Sequence, residues 1–549
     1  MSGRSKKLEK LFSLFTMGIP DIVTVITDEK TYISRGQKNP AEEGLTRVEF
    51  LEQDNGQTVS VTSRDSLRFV KLRWNYRIKK QAQFLTDAWE RGYGDLCWRG
   101  MSGGRCMPWY FLAAEQEKTL CFGVKVRPSA MCFWQADTKG ITLFLDLRCG
   151  GNGVLLAGRT LKAAEIVCME GPAGNTFETA REFCRRMCTD PVLPDFPVYG
   201  SNNWYYAYGE SSDREILSDT DYLLSLTSGV SNPPFMVIDD GWQENHRINE
   251  YNGGPWKRGN GKFPDMKALA EKMKEKGVRP GIWVRLLLNE DRKIPGEWRI
   301  SHNGCLDPSH PEALRYIRED VERICSWGYQ LIKHDFSTFD LFGKWGFETN
   351  FQTEASGWNF YDRGKTGAEI VKQLYEEIFR AASEYHAVII GCNTIGHLGA
   401  GLMHLNRTGD DTSGRMWERT RRMGINTLAF RLPQHGTFYH VDADCVGING
   451  PIPWEKNRQW ADVIVQSGTP LFISVKPGIL PEHEKEELHQ LMQKAARQDS
   501  HKIPADWMET DCPEVWIGGG ETVVYDWFEE EGLGLDGRLE RVYAPVPVP

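Results

Sequence analysis

Two textures of apolar and polar positions divide the chain. From about residue 20 to 195, short β-type runs are broken by Gly, Pro and Asp: DIVTVITDEKTYI, QTVSVTSRDSLRFVKLRW, KTLCFGVKV, AMCFWQAD and GITLFLDL. Alternation sends successive side chains to opposite faces of a strand, and turn residues at this spacing predict an antiparallel sandwich. The proline-rich stretch DPVLPDFPVYG (190–200) marks a boundary. Beyond it, apolar strand candidates alternate with helical ones. The strands are VYGSNNWYY, PFMVIDDGW, RPGIWVRLLL, YQLIKHDF, AVIIGCNT, LMHLNRTGDD, GTFYHVD and PLFISV; helices between them include MKALAEKMKEKG, PEALRYIREDVERICSWG and TGAEIVKQLYEEIFRAASEYH.

Eight strands with intervening helices predict an α/β fold, a (β/α)8 TIM barrel over 196–498. Residues 1–195 are expected to form an amino-terminal antiparallel β-sandwich domain. Residues 499–549, with brief strands such as EVWIGG and TVVYDWF, are expected to form a small carboxy-terminal β domain. A chain of 549 residues is too long for one compact domain, which agrees with this division.

The apolar pattern breaks where the barrel strands end. In LIKHDFSTFD (331–340), Lys333 and Asp335 stand two positions apart on one strand face, and opposite charges on the inward side of a core strand are costly unless something uses them. The other strand ends carry Trp204 and Tyr205; Asp239, Asp240 and Trp242; Trp283 and Arg285; Cys392 and Asn393; and Arg407, Asp410 and Asp411. Working groups of such barrels sit at the carboxyl ends of the strands, so the mouth is the expected site. Each piece alone has a bland reading. Asp239–Asp240 before Gly241 would end a strand in a turn, Lys333–Asp335 would be a structural ion pair, Cys392 an inert core thiol and Trp283 core packing. Their convergence on successive strand ends favours function.

Composition narrows the chemistry. A net charge of −9 argues against a nucleic-acid partner, and no apolar run is long enough to span a bilayer. Hydrophobic residues at 40% and charged residues at 26% fit a soluble protein with a large core. The segment RSKKLEKLFSLFTMGI mimics a secretory signal, but Glu9 interrupts its basic region and no cleavage site follows, so a cytoplasmic location is expected. Thirteen cysteines without CxxC spacing read as reduced core residues, neither a disulfide frame nor a zinc site. Carboxylates, tryptophans and a few cations suit a sugar: indole faces stack on pyranose rings and charged groups hydrogen-bond hydroxyls. Glycoside hydrolysis needs two carboxyl groups, and Lys333 would keep Asp335 ionised as a nucleophile.

The barrel region resembles the melibiase-type α-galactosidases of glycoside hydrolase family 36 and, more distantly, family 27. The matching pieces run in that order: SNNWYYAYG, FMVIDDGW, FPDMKALAEKMKEKGVRPGIW, LDPSHPEALRYI, GYQLIKHDF, IIGCNT, NRTGDD and FYHVDADC. The resemblance implies a retaining exo-α-galactosidase without metal or cofactor, acting on carbohydrates with terminal galactose and able to associate as a homo-oligomer. It implies that Asp335 is the nucleophile and Asp411 the acid/base. It further implies that Lys333 binds a sugar hydroxyl, that Asp239 and Asp240 grip O4 and O6, and that Trp204, Tyr205 and Trp283 form aromatic walls. Cys392 would line the pocket and Arg407 would lie near O2. Strand periodicity puts Arg407, Gly409 and Asp411 on one face and Asp410 on the other, which favours Asp411 over Asp410. An amino-terminal tryptophan, Trp89 or Trp98, is expected to reach over the site. His334 and Arg285 depart from residues common in the family. Rival readings are α-N-acetylgalactosaminidase, β-L-arabinopyranosidase, a transglycosylase or a non-catalytic carbohydrate-binding barrel. A metal-dependent hydrolase would draw on His334, His397, His404, His435 and His440, which lack a His-x-His pair.

Overall fold

A computed structural model describes residues 11–53, 56–351 and 357–529. The start of the basic amino-terminal segment (1–10) and the second half of the expected carboxy-terminal domain (530–549) lie outside the described residues.

The alternating runs of the first region form two antiparallel sheets. One orders the strands 41–43, 46–53, 56–63, 160–172, 118–124, 110–114 and 83–86; the other orders 31–35, 22–27, 66–74, 140–146, 131–137 and 107–108. Their inward positions, among them Val23, Val25, Val59, Val61, Val70, Leu72, Leu143 and Leu145, are buried in one continuous core. This stretch is not all strand. Thr176–Met187 is an amphipathic helix that buries Phe177, Ala180, Phe183, Cys184 and Met187, a spacing of three to four that belongs to a helix face.

The second region curls a parallel sheet, with strands at Tyr199–Asn202, Phe235–Ile238, Arg279–Val284, Leu331–His334, Val388–Gly391, Leu405–Arg407 and His440–Asp442. Leu471–Val475 pairs with the first of these, and Cys445–Ile448 pairs with Leu471–Val475. Only Ala443 and Asp444 separate the strands at the two ends of this order, so its edges meet through one short segment. Helices Met266–Lys276, Pro311–Ser326 and Gly367–Ser383 fall on the expected pieces; Thr366 and Glu369 cap the last of these reciprocally.

Period-two alternation divides the burial. Met236, Ile238, Ile282, Ile332 and Ile389 join the large core shared with the helices. Phe235, Val237, Leu331, Val388, Ile390, Leu405 and Phe472 form a separate inner cluster. Extending those inner rows by two positions reaches Asp239, Lys333, Cys392 and Arg407, and two more beyond Lys333 reach Asp335. A three-stranded sheet (503–504, 515–518, 521–524) follows the last helix. Among the described residues no helix is long and apolar enough to cross a membrane.

Three histidines, His404, His435 and His440, are half-buried. The rings of His435 and His440 are tilted to one another, with centroids 4.6 Å apart. Burial, reinforced by neighbouring positive charge, lowers His440 to about 4 and takes His435 well below its ordinary value; burial also lowers His404 to about 4. These groups stay neutral in the fold yet accept protons once unfolded, so their stabilisation is present above about pH 6.5 and is lost as pH falls toward about 4. Thermal melts between these values should show a steep fall in Tm. His440→Asn should flatten it by up to one proton, about 1.4 kcal/mol per pH unit.

Candidate active site

The strand Leu331–His334 ends with the N–H of Asp335 donating to the carbonyl of Val284 at 3.0 Å. Phe336 then adopts φ 61°, a left-handed conformation costing a bulky residue about 1–2 kcal/mol. The turn leads into helix Ser337–Phe342. The backbone N–H of Phe336 (2.7 Å) and that of Asn393 (3.1 Å) donate to Oδ1 of Asp335, and the indole Nε1 of Trp283 donates to Oδ2 at 3.1 Å. Burial pushes this carboxyl up, but Lys333, Arg91 and the Trp283 hydrogen bond outweigh it and hold it below its ordinary value.

Lys333 does not pair directly with Asp335. Its Nζ lies 2.7 Å from Oδ2 of Asp239, which also accepts from Nδ2 of Asn202 at 2.6 Å. Burial opposes the charge on Lys333, yet Asp239 raises the ammonium well above its ordinary value. Asp240 accepts from Nε2 of Gln243 at 2.7 Å and lies 3.3 Å from Nδ1 of His246; burial leaves its carboxyl raised despite both.

Past the strand Leu405–Arg407, the neighbours Asp410 and Asp411 have different surroundings. Asp410 is clamped between Arg91 Nη1 at 3.2 Å and Arg419 Nη2 at 2.7 Å. Asp411 keeps 29% of its side chain exposed and accepts from Arg407 Nη2 at 3.2 Å. Burial pushes Asp411 up, while Arg407, Arg91, Arg419 and Lys333 together draw it below its ordinary value.

Asp239, Asp240, Lys333, Asp335 and Asp411 line a cavity with Trp204 and Trp283 as aromatic walls. Tyr205, Cys392 and Arg407 stand behind it. The Tyr205 hydroxyl donates to Asp444, so Tyr205 props an inner carboxylate and is not a wall. Arg407 reaches Cys392 Sγ at 3.3 Å and Asp444 Oδ2 at 2.9 Å, and burial holds the Cys392 thiol protonated. The expected tryptophan over the mouth is absent from the lining: Trp89 packs against Trp109 and Phe133, and Trp98 against Trp507. Arg91 enters instead, because the N–H of Gly92 donates to the carbonyl of Thr408 at 2.7 Å and docks that segment on a strand end. Asn252, Phe336, Trp345 and Asp410 complete the lining. The glycines around Arg91 in WERGYG are the one local sign of a close backbone approach. His334 is buried beside Tyr375, and Arg285 forms a bidentate pair with Asp340. Among the described residues no group of three or more His, Cys, Asp or Glu is placed to hold a metal ion.

No family model matches the chain. An α-galactosidase of Oryza sativa subsp. japonica is 26% identical over 152 residues, which span 28% of this chain and 32% of that protein. Among solved structures, the chain is similar to an α-galactosidase from Thermus thermophilus in complex with p-nitrophenyl α-D-galactopyranoside (18% identity, 87% of this chain and 97% of that one, TM-score 0.57). It is also similar to a family 36 α-galactosidase from Geobacillus stearothermophilus in complex with 1-deoxygalactonojirimycin (15%, 90% and 70%, 0.58). A family 31 sulfoquinovosidase from E. rectale is comparably similar (12%, 93% and 87%, 0.58). The fold is therefore one shared with family 36 α-galactosidases and with this family 31 enzyme, and the likeness extends beyond the residues that carry the sequence motifs.

Lys333→Met should strand Asp239 as a buried charge and cost about 3–5 kcal/mol in denaturant unfolding. Adding Asp239→Asn should recover part of that loss, because the double variant leaves no unpaired charge.

Proposed function

We propose that this protein is a retaining exo-glycoside hydrolase that removes terminal α-linked galactose from oligosaccharides or glycoconjugates by double displacement. The reading places the enzyme in the cytoplasm, with a (β/α)8 barrel over 196–498 between an amino-terminal sandwich (1–195) and a small β domain (499–549). One observation carries it: two carboxylates in distinct settings, Asp335 and Asp411, share a cavity with a buried Asp239–Lys333 pair and three indoles. The likeness to α-galactosidases in complex with galactosides, stachyose among them, supports the choice of sugar.

In this mechanism ionised Asp335 attacks the anomeric carbon while Asp411 gives its proton to the leaving oxygen. Asp411, now a base, takes a proton from water, which attacks the same carbon and releases Asp335; two inversions give retention. The three N–H donors on Asp335 are placed to receive the carboxylate as it departs. Lys333 and Asn202 hold Asp239 as a fixed acceptor for sugar hydroxyls. The same chemistry on another galacto-configured sugar, such as N-acetylgalactosamine or β-L-arabinopyranose, would need only a different fit around C2 or C6.

A panel of aryl α- and β-glycosides, with the product anomer followed by NMR, tests the reading. α-Galactose should appear first, and glucosides should react slower by up to about 10⁴-fold, because they strand partners built for an axial hydroxyl. β-Galactose as first product, or equal rates on glucosides, would overturn it. Asp411→Ala should nearly abolish cleavage of natural galactosides, keep the glycosylation step on an activated aryl galactoside and regain turnover with azide; rescue in Asp410→Ala instead would shift the assignment by one residue.

The pH profile follows from the same residues. Arg407, Arg91, Arg419 and Lys333 hold Asp411 low, so its protonated form is lost below neutrality. For a natural galactoside kcat/KM should peak on the acid side of pH 7 and fall above it. With an activated aryl substrate, whose leaving group needs no proton, that alkaline fall should be much weaker.

A further inference from the structure

Glu90 is fully buried outside the cavity, and three of its four partners, Arg91, Gly346 and Asn393, belong to or adjoin a cavity wall. Its Oε1 accepts from Asn393 Nδ2 at 2.5 Å, from the Tyr93 hydroxyl at 2.7 Å and from Arg91 Nε at 3.1 Å. Its Oε2 accepts from the N–H of Gly346 at 3.1 Å. Asn393 in turn aims its own N–H at Asp335 Oδ1, while its Oδ1 accepts from Phe339 N at 3.2 Å, so its side chain is fixed at both ends. Arg91 holds Asp410 beside Asp411, and Gly346 follows the lining residue Trp345. A Cβ on Gly346 would come within 2.6 Å of Glu90 Cγ, so only glycine permits this approach. Four donors satisfy a carboxylate that would otherwise be too costly to bury.

We propose that Glu90 is a positioning residue for the reaction: it sets Asp335 through Asn393 and the Arg91–Asp410 pair beside Asp411, making the amino-terminal β region part of the working site. The proposal rests on the glycosidase reading above. Its donors converge from three separate stretches, the segment 90–93, the loop at 346 and the strand end at 393, all at the mouth. Misplacement of a reacting group by about 1 Å can cost about 10²-fold in rate, so a carboxylate that fixes three walls acts on kcat before it acts on binding.

Glu90→Gln tests this. Every partner of Glu90 is a donor, so the amide NH2 must face one of them, and Arg91 keeps only Asp410 as a counter-charge. On an aryl α-galactoside kcat should fall about 10- to 100-fold with KM changed less than about threefold. Both pH limbs should move lower, because Arg91, which faces both Asp335 and Asp411, is less neutralised once Glu90 is uncharged. Apart from each other, the remaining groups they face (Lys333, Asp340 and Arg285 for Asp335; Arg407, Arg419 and Lys333 for Asp411) do not change. Glu90→Asp keeps the charge and should restore the limbs but not the full kcat. Asn393→Ser keeps the N–H to Asp335 but removes the link to Glu90; its loss and that of Glu90→Gln should not multiply in the double variant. Should Glu90→Gln fail to fold, Asn393→Ser alone decides: a kcat loss at constant KM supports the role, and an unchanged kcat overturns it. Wild-type protein inert on the whole glycoside panel overturns the glycosidase reading and this role with it. An active wild type with Glu90→Gln at unchanged kcat and pH limbs, or with multiplying losses, overturns the positioning role alone.

Discussion

Charges buried at the mouth of the parallel sheet must be neutralised by one another, and the surrounding structure is arranged to meet that requirement. The effective penalty for burying an ion is several kcal/mol unless a partner is close and well aligned. Asp239 and Asp240 are nearly inaccessible, as is Asp410. The compensating cations come from four different places: Lys333 from one strand, Arg407 from another, Arg419 from the stretch after it and Arg91 from the antiparallel region. No single element could satisfy the set. The site exists only when all of these stretches are folded together.

Much of this was legible in the chain because strand periodicity extends past the strand. An inner row such as Leu331–Lys333–Asp335 announces its inward direction through its first apolar member. The same rule picked out Asp239, Trp283 and Asp411, which share the cavity. It also picked out Cys392 and Arg407, which support the cavity from behind, because periodicity gives a direction and not a depth. Tyr205 follows its strand rather than lying on it, and one turn of helix carries its hydroxyl down to Asp444.

The unread part depends on contacts distant in sequence. Glu90 and Arg91 lie in WERGYG, with no strand or helix period of its own, and the partners that tie them to the site, Gly346, Asn393 and Asp410, stand more than two hundred residues away. Trp345 sits in a long connection between strand and helix, where no periodicity assigns a direction. Trp89 and Trp98 looked more suited to covering a sugar, but each is claimed by aromatic neighbours. The helix Thr176–Met187 was hidden by the surrounding β-type texture, although its apolar residues recur at helical spacing.

The bridge between Gly92 and Gly409 bears on how such a protein can diversify. A Cβ on Gly409 would lie 1.8 Å from the Met423 carbonyl oxygen, and one on Gly92 would lie 2.8 Å from the Thr427 side chain. At Gly409 a backbone carbonyl leaves no room for adjustment by side-chain choice, and at Gly92 the Thr427 and Leu96 side chains crowd the approach. A sandwich borrowed from a relative would need to present its own bare backbone in the same register, or it would deliver neither Glu90 nor Arg91 to the mouth. Lineages sharing this joint should therefore exchange the two regions together.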